Sequence, residues 1–267
     1  MRSKFLFLLT IPALALFPLP TLAALTLGTA GDFAVLAGST VSITGPTAIS
    51  GGHVGVNPGS SITGYPLVTM EPSYTLHLGD ALALQAQNDL TTAYNAAAGL
   101  AFTQSLTGQD LGGLTLLPGV YFFSSSAQLT GILTLNNMGD PNAEFVFQIV
   151  SALTTASNSS VITINGGLTP GSSVFWQVGS SATLGTETAF KGHILALSSI
   201  TLNTGATIYD GSALARNGAV TLDTNTIANN ASTVPEPATL SLALLGGAML
   251  LFRRPRSGMK SPQPGSC

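Results

Sequence analysis

The chain has 267 residues, of which 45% are hydrophobic and 7% are charged, and 30 of them are glycine. This composition excludes an intrinsically disordered chain, and the length allows one sizeable core. Ser, Thr and Asn are abundant whereas Lys and Glu are scarce, which favours a β-rich fold with tight turns. Between residues 24 and 233 there are ten acidic residues and two basic ones, Lys191 and Arg216, a formal net charge of −8. Such a surface cannot neutralise phosphates, which excludes nucleic acid as a partner.

The N-terminus has the three parts of a secretory signal peptide. A basic start at residues 1–4 precedes an apolar run over residues 5–17, and residues 18–23 end on the small residue Ala23. We expect signal peptidase to cleave after Ala23, which makes residues 1–23 a signal peptide and residues 24–233 the exported domain. A membrane anchor is the alternative, but the run contains prolines and is short of the roughly 20 residues of a span.

The exported domain begins with short apolar runs separated by Gly and Pro. Alternation of apolar and polar residues within these runs predicts strands joined by tight turns. The N-terminal strand candidates lie at residues 33–37, 41–44, 48–50 and 53–56.

The residue pattern changes between residues 77 and 98. Apolar residues there recur at three- and four-residue steps, which predicts one long helix packed against the side of the β core. Gly99 is a suitable residue to end it, and residues 99–113 are expected to form a cap or crossover. The predicted apolar stripe contains Leu78, Ala81, Leu82, Gln85, Ala86, Leu90, Ala93, Tyr94 and Ala97.

The β pattern returns after the helix. Residues 145–149 and 174–178 look like one unit repeated 29 residues apart, each with a central Gln and a following Ser/Thr-rich run. Rungs of about 20–29 residues suit a triangular β-solenoid, or β-helix, whose strands stack about 4.7–4.9 Å apart. The candidates are residues 119–123, 133–135, 144–149, 161–164, 174–178, 194–197 and 219–222.

Three runs of sequence T-L-x-T stand out in the second half. They begin at Thr183, Thr201 and Thr221, at intervals of 18 and 20 residues, and a looser copy begins at Thr154. In a strand the Leu would point inward and its neighbours outward, so stacked rungs would align threonines on one outer face. The predicted ladder contains Thr154, Ser157, Thr183, Thr186, Thr201, Thr204, Thr221 and Thr224.

A flat face of threonines can bind ordered water. Each side chain presents a methyl and a hydroxyl group on a stiff β-branched stem, and an uncharged array leaves the water undisturbed. Asp223 interrupts the third run, and we therefore expect that rung at the edge of the face. The simpler interpretation is that Thr is a good residue for any strand surface.

The C-terminus has three parts, a Pro-Glu-Pro motif, an apolar segment and a pair of arginines, in that order. The motif Pro235-Glu236-Pro237 is followed by an apolar segment at residues 238–252 and then by Arg253 and Arg254. Residues 234–256 thus resemble the PEP-CTERM sorting signal of Gram-negative bacteria, and residues 257–267 form a tail beyond it. The resemblance implies an exosortase, transient membrane anchoring and delivery to the cell surface or an extracellular matrix. The single cysteine, Cys267, lies in the tail, so the exported domain has no disulfide.

Seven short motifs follow one another along residues 27–228: FAVLAG at 33–38, TGPT at 44–47, VGVNPG at 54–59, LPGVY at 117–121, FVFQ at 145–148, VFWQV at 174–178 and LAR at 214–216. With these motifs, residues 27–228 resemble the bacterial and fungal ice-binding family known as DUF3494. The resemblance implies a discontinuous right-handed β-solenoid with one long helix alongside, and ice or ordered water as the partner of the threonine face. A T-A/G-x-T/N pattern of some members fits residues 155–158 and 204–207, whereas the T-L-x-T runs depart from it.

Catalytic functions have little support in the sequence. The three histidines form no i, i+4 metal pair and have no cysteine beside them, so no metal or other cofactor is predicted. His193 is expected on the solvated surface. There is no nucleophile elbow, phosphate loop or calcium nonapeptide, and we predict that the protein is not an enzyme.

A second function remains open, namely adhesion to an exopolysaccharide in a matrix or biofilm. The aromatic residues at 145, 147, 175 and 176 could form a carbohydrate-stacking platform. Their alternation with apolar neighbours favours packing in the core instead.

Overall fold

The computed structural model describes residues 24–166 and 173–229. The predicted signal peptide, sorting signal and C-terminal tail lie outside the described residues. Within them are two short 3-10 helices, Gly28–Asp32 and Tyr65–Leu67, and one α-helix, α1 (Ala81–Gly99). The strands are β1 (Phe33–Ala37), β2 (Thr40–Ile43), β3 (Thr47–Ser50), β4 (His53–Val56), β5 (Ser61–Thr63), β6 (Val68–Met70), β7 (Leu76–Leu78), β8 (Gln104–Ser105), β9 (Thr115–Leu116), β10 (Gly119–Phe123), β11 (Ala127–Leu129), β12 (Ile132–Asn136), β13 (Glu144–Ile149), β14 (Leu153–Thr155), β15 (Ser160–Ile164), β16 (Ser173–Val178), β17 (Ala182–Leu184), β18 (Ala189–Lys191), β19 (His193–Ala196), β20 (Ile200–Leu202), β21 (Thr207–Tyr209), β22 (Ala213–Ala215), β23 (Val220–Leu222) and β24 (Thr226–Ala228).

The strands form three parallel sheets. Sheet A has the order β7-β4-β1-β22-β19-β16-β13-β10-β8, sheet B the order β11-β14-β17-β20-β23-β2-β5, and sheet C the order β6-β3-β24-β21-β18-β15-β12-β9. Three consecutive strands, such as β13, β14 and β15, contribute one strand to each sheet, and we call such a set a rung. Stacked rungs satisfy the backbone hydrogen bonds of their neighbours, so short strands suffice.

The space between the three sheets is filled by the inward residues of every strand. In β17, β20 and β23 the first and third residues of each strand are buried and the second is half-exposed, as period-two alternation predicts. Leu184, Leu202 and Leu222 therefore point inward, as predicted from the T-L-x-T runs.

Aromatic residues stack along one side of this core. The rings of Phe147 and Trp176 lie parallel with centroids 3.9 Å apart, and Tyr121 continues the stack 5.5 Å from Phe147. The Trp176 indole nitrogen donates to the Lys191 carbonyl at 3.0 Å. The prediction that the aromatic residues at 145, 147, 175 and 176 pack in the core is confirmed, since all four are buried.

Helix α1 covers the outer face of sheet A. It begins at Ala81, later than predicted, because the residues before it join sheet A as β7 and Asp80 caps the helix by accepting from the Ala83 N–H at 2.9 Å. Its 19 residues, about 28 Å long, cross roughly six strands. The predicted stripe is right from Ala86 onward but wrong over the first turns, where Ala83 and Gln87 are buried instead of Ala81 and Gln85.

The chain passes through the stack of rungs out of sequence order. The first rung, β1 to β3, pairs with the last, β22 to β24, in all three sheets. After β7 the chain continues through α1 to the far end of sheet A, and β8 and β9 begin the stack there. Leu106 and Leu111 are buried at that end, in the segment predicted to form a cap or crossover. The two ends of the described chain thus meet inside the stack.

Candidate functional site

The outer face of sheet B carries one continuous column of polar side chains. The register places Thr154 beside Thr183, Thr183 beside Thr201, and Thr201 beside Thr221. Neighbouring members are one strand spacing apart, about 4.7–4.9 Å. The pairings of sheet B have no bulge, so the column is regular. In spatial order it contains Gln128, Thr154, Thr183, Thr201, Thr221, Ser42 and Thr63.

The four central threonines of this column have unused hydroxyl groups. Thr154 is exposed, and Thr183, Thr201 and Thr221 are half-exposed. None of the four hydroxyls forms a hydrogen bond with another described residue. Their backbones are held by strand pairing on both sides and their χ1 angles are restricted by β-branching. The column therefore presents a fixed row of hydroxyl and methyl groups to solvent.

Serines brace the corner where each rung enters sheet B. The hydroxyl of Ser181 accepts from the Ser199 N–H at 3.3 Å, and that of Ser199 accepts from the Ala219 N–H at 3.2 Å. Ser126 does the same for the Ala152 N–H at 3.4 Å. These bonds link successive rungs beside the column and keep its spacing regular.

The other two sheets do not offer a comparable surface. Helix α1 packs on the outer face of sheet A. The outer face of sheet C includes Lys191, paired with Asp210, together with exposed Tyr209 and Ile162. The seven strands of sheet B contain no charged residue. Sheet B is therefore the face that matches the predicted threonine ladder.

The fourth residues of three of the repeated runs lie at the corner between sheets B and C. Ser157, Thr186 and Thr204 are exposed there, each just before a residue with left-handed backbone. The Asn158 N–H donates to the Thr186 carbonyl at 2.9 Å, and the Glu187 N–H to the Thr204 carbonyl at 3.0 Å. These three residues therefore stack as a second row, shorter than the first.

Thr224 does not belong to this second row. Four residues separate β20 from β21, but three separate β23 from β24, so the last corner is one residue shorter. Thr224 has φ 56° and takes the left-handed position that Gly205, φ 74°, takes in the neighbouring rung. Asp223 occupies the place next to Thr204 and accepts a hydrogen bond from its hydroxyl.

The expectation that Asp223 marks an edge of the face is wrong. Strand β23 is the fifth of seven in sheet B, with β2 and β5 beyond it. Because these two strands come from the N-terminus, no local repeat connects them with Thr221. They add Ser42 and Thr63 to the column, and Thr63 donates to Ser42 at 3.1 Å. The carboxylate of Asp223 thus lies at the side of the face.

The literal matches to the T-A/G-x-T/N pattern do not share one face. Thr155 points into the core, where its hydroxyl lies 2.8 Å from that of Thr188 and accepts from the Gly185 N–H. Thr207 belongs to sheet C rather than sheet B. The T-L-x-T runs, which depart from the pattern, supply Thr183, Thr201 and Thr221 of the column.

Comparison with known proteins agrees with this architecture. The Ice-binding-like family model matches residues 35–228. The chain belongs to this family. It is 58% identical over 235 residues to an ice-binding protein of Nostoc sp. (strain HG1), with 85% of each chain covered. An ice-binding protein of Colwellia sp. is 36% identical over 221 residues, covering 76% of this chain and 83% of the relative.

Solved structures of ice-binding proteins are similar as well. The crystal structure of an ice binding protein from an Antarctic biological consortium matches with a TM-score of 0.72 and 47% identity, covering 79% of this chain and 95% of that chain. That of the Antarctic ascomycete Antarctomyces psychrotrophicus has a TM-score of 0.72 and 40% identity, covering 79% and 100%. Membership of the ice-binding-like family thus rests on sequence and on fold.

One polar cluster of this family member was not anticipated from sequence. Thr75 Oγ1 lies 3.0 Å from His77 Nε2, and His77 Nδ1 lies 2.7 Å from the Asp80 carboxylate. His53 stands edge-on to His77 with centroids 4.8 Å apart, and its Nδ1 accepts from the Thr75 N–H at 3.1 Å. Burial and the neighbouring His77 lower the pKa of His53. Since Asp80 also caps α1, the cluster fastens β4 and β7 to the start of the helix.

His193, expected on the solvated surface, is half-buried instead. Its Nδ1 lies 2.9 Å from Ser212 Oγ, and its ring stacks on Phe175 with centroids 5.4 Å apart. Burial lowers its pKa to about 4, against a smaller opposing effect of Asp210. Among the described residues no three His, Cys, Asp or Glu side chains come together as metal ligands. In the same residues no helix is long and apolar enough to cross a membrane.

Proposed function

We propose that the protein adsorbs to ice through the outer face of sheet B, and that its rungs form a right-handed triangular β-solenoid. The observation that carries the proposal is the row of Thr154, Thr183, Thr201 and Thr221, whose hydroxyl groups are fixed in space and lack partners within the described chain. An ice-binding relative that is 58% identical supports the same conclusion.

The chemistry needed is hydration rather than reaction. Methyl groups on the column order water around themselves, while the hydroxyls anchor that water at regular intervals. Once water at the face is ordered like ice, the protein joins the crystal surface. Growth then continues only between adsorbed molecules, where the ice front curves and the local freezing point falls. The protein therefore inhibits ice growth and recrystallisation, and no bond is made or broken.

A charged substitution on the column tests the proposal. We expect Thr201→Lys to reduce thermal hysteresis and inhibition of recrystallisation several-fold, because an ammonium group orders water around itself and projects above the face. Thr226→Lys is the matched control, since Thr226 is an equally half-exposed strand residue that belongs to sheet C. Melting temperatures of both variants would show that the fold persists.

Two results would contradict the proposal. If the wild-type protein leaves ice growth unchanged at high concentration, ice adsorption is not its function. Full activity in both Thr201→Lys and Thr183→Lys, with loss in Thr226→Lys, assigns ice adsorption to sheet C instead of sheet B.

The second candidate function is adhesion to exopolysaccharide. The ring of Phe102 is 53% exposed and stacks on Phe122 with centroids 5.0 Å apart, an arrangement able to hold a sugar ring by its apolar face. A pull-down with matrix polysaccharide, comparing wild type with Phe102→Ala, tests this function separately from ice adsorption.

We propose further that the protein is exported and reaches the outer surface or surroundings of a Gram-negative cell. The support is the sequence pattern of residues 1–23 and of residues 234–256, which would be processed by signal peptidase and an exosortase. Intact-mass measurement of the protein recovered from cell surface and medium tests both cleavages. A recovered chain that still carries residues 1–23 would contradict export through this signal.

A further inference from the structure

A carboxylate at the start of β13 has one oxygen without a hydrogen-bond partner in the described part of the chain. Glu144 Oε2 accepts a hydrogen bond from the Leu25 N–H at 3.0 Å. Its other oxygen, Oε1, is withdrawn from solvent and has no hydrogen-bond partner among the described residues. Burial raises the pKa of Glu144, and the Leu25 hydrogen bond opposes this only in part. A buried carboxylate oxygen without a donor is costly, which points to a missing cation.

The basic side chains of the domain are engaged elsewhere. Residues 24–233, including the stretch 167–172 that the structure does not describe, contain Lys191 and Arg216 as their only Lys or Arg residues. Lys191 pairs with Asp210, and Arg216 lies 4.7 Å over the Tyr94 ring while donating to Thr91. The three histidines contact Thr75, Asp80 and Ser212. No described cationic side chain is thus left for Glu144.

The chain itself can supply the cation. Cleavage after Ala23 would convert the Ala24 nitrogen into an α-ammonium group, which is largely protonated at neutral pH. Ala24 directly precedes Leu25, and consecutive Cα atoms are about 3.8 Å apart, so the new terminus lies within reach of Glu144. The segment is anchored, because Leu25 packs on the cluster beneath α1 and the Thr29 N–H donates to Asp89 at 2.9 Å.

We propose that Glu144 binds the N-terminal ammonium group that signal-peptide cleavage creates, so that cleavage completes an ion pair which the uncleaved chain lacks. The inference rests on the cleavage site predicted above and is independent of ice adsorption. Glu144 belongs to sheet A and the ice-adsorbing face to sheet B, so the two proposals can fail separately.

Acetylation of the terminus is the sharpest test. A chain running from Ala24 to Cys267 would be prepared with a free α-amino group and with the same group acetylated, which removes its charge. We expect acetylation to lower the melting temperature by about 2–4 °C, the shift that a modest loss of stability produces in a domain of this size. Carboxyl ¹³C NMR should show a higher pKa for Glu144 in the acetylated chain.

Two variants identify the partner. In Glu144→Gln, acetylation should leave the melting temperature unchanged, whereas in Asp32→Asn, which alters an exposed acid near the same segment, it should retain its effect. The proposal is overturned if acetylation lowers the melting temperature of Glu144→Gln as much as that of the wild type. It is also overturned if acetylation leaves the pKa of Glu144 in the wild type unchanged. If Glu144→Gln does not fold, the NMR titration of the two wild-type forms decides alone. A secreted protein whose first residue lies beyond Leu25 also overturns it.

Discussion

The threonine side chains on the outer face of sheet B have little rotational freedom. A threonine on a strand has few χ1 choices, and here its backbone is paired with a strand on either side. Under the proposed function, little conformational entropy would be lost if the hydroxyl of Thr183 or Thr201 bound ordered water. The same residue type is used differently one position away, where Thr155 turns inward and bonds to Thr188. Position relative to the sheet, rather than residue type, decides the role.

His193 should make the stability of the protein sensitive to mild acid. Its pKa is lowered to about 4, whereas an unfolded histidine titrates near 6.5. Between these values the unfolded chain takes up a proton that the native chain does not, so stability falls as pH decreases. The loss is on the order of 2 kcal/mol, discounted because the side chain is partly exposed. Urea denaturation at pH 7 and pH 4 measures it.

The matched variant for His193 is His193→Asn. Asparagine keeps a polar group near Ser212 and cannot be protonated, so its stability should fall less over the same pH range. Other groups that titrate in acid, such as His53 with its lowered pKa, are common to both proteins and cancel in the comparison. Asp210 is the charged group that faces His193, and it acts against the lowering of the His193 pKa. Parallel pH profiles for the two proteins would contradict the assignment.

Residue patterns predicted the column of sheet B but not its full length or every neighbour. The T-L-x-T period located Thr183, Thr201 and Thr221, because each belongs to a rung of similar length. It misplaced Thr224, since a corner shortened by one residue shifts the register locally without changing the sequence motif. It could not find Ser42, which lies beside Thr221 although 179 positions separate them in the chain. Contacts of that range leave no periodic signal.

At the scale of elements, helix α1 depends on the sheet beneath it. Its apolar stripe consists largely of alanine, so close packing against sheet A rather than large side chains holds it. Polar contacts fix its ends: Asp80 caps the N-terminus, and Gln148 from β13 donates to the carbonyls of Ala97 and Leu100, both at 2.8 Å. The period of apolar residues predicted the helix, but not the conversion of its first expected turn into β7.

Removing the C-terminal contact should weaken the helix–sheet junction. Gln148→Ala leaves two carbonyls near the helix end without their donor in a buried setting, and we expect a loss of about 1–3 kcal/mol. Gln128→Ala on β11 is the control, because that side chain is exposed and makes only a 3.4 Å contact with Thr130. The comparison uses urea denaturation midpoints. Equal midpoints would show that solvent replaces Gln148 without cost.

The order of rungs in the whole molecule differs from that of an ordinary linear repeat protein. In a linear array the chain termini lie at the ends of the stack, and unfolding can start there. Here the first and last rungs pair with each other inside the stack, and Asn229 reaches back to donate to the carbonyls of Gly31 and Phe33. Both stack ends are instead closed by interior parts of the chain. Loss of the junction between the first and last rungs should therefore destabilise the N-terminal and the C-terminal rungs together.

Ile227→Ala tests this junction. Ile227 is fully buried in β24 and pairs with Ile49 of β3, so truncation removes packing on both sides and should cost about 2–5 kcal/mol. Because β3 and β21 flank β24 in sheet C, hydrogen exchange should accelerate in both by a similar factor. Leu133→Ala in β12, equally buried and remote from the junction, should instead accelerate exchange first in β9 and β15, its own neighbours. Faster exchange in β3 alone, with β21 unchanged, would mean that the N-terminal rungs unfold independently and that the junction does not couple the two halves.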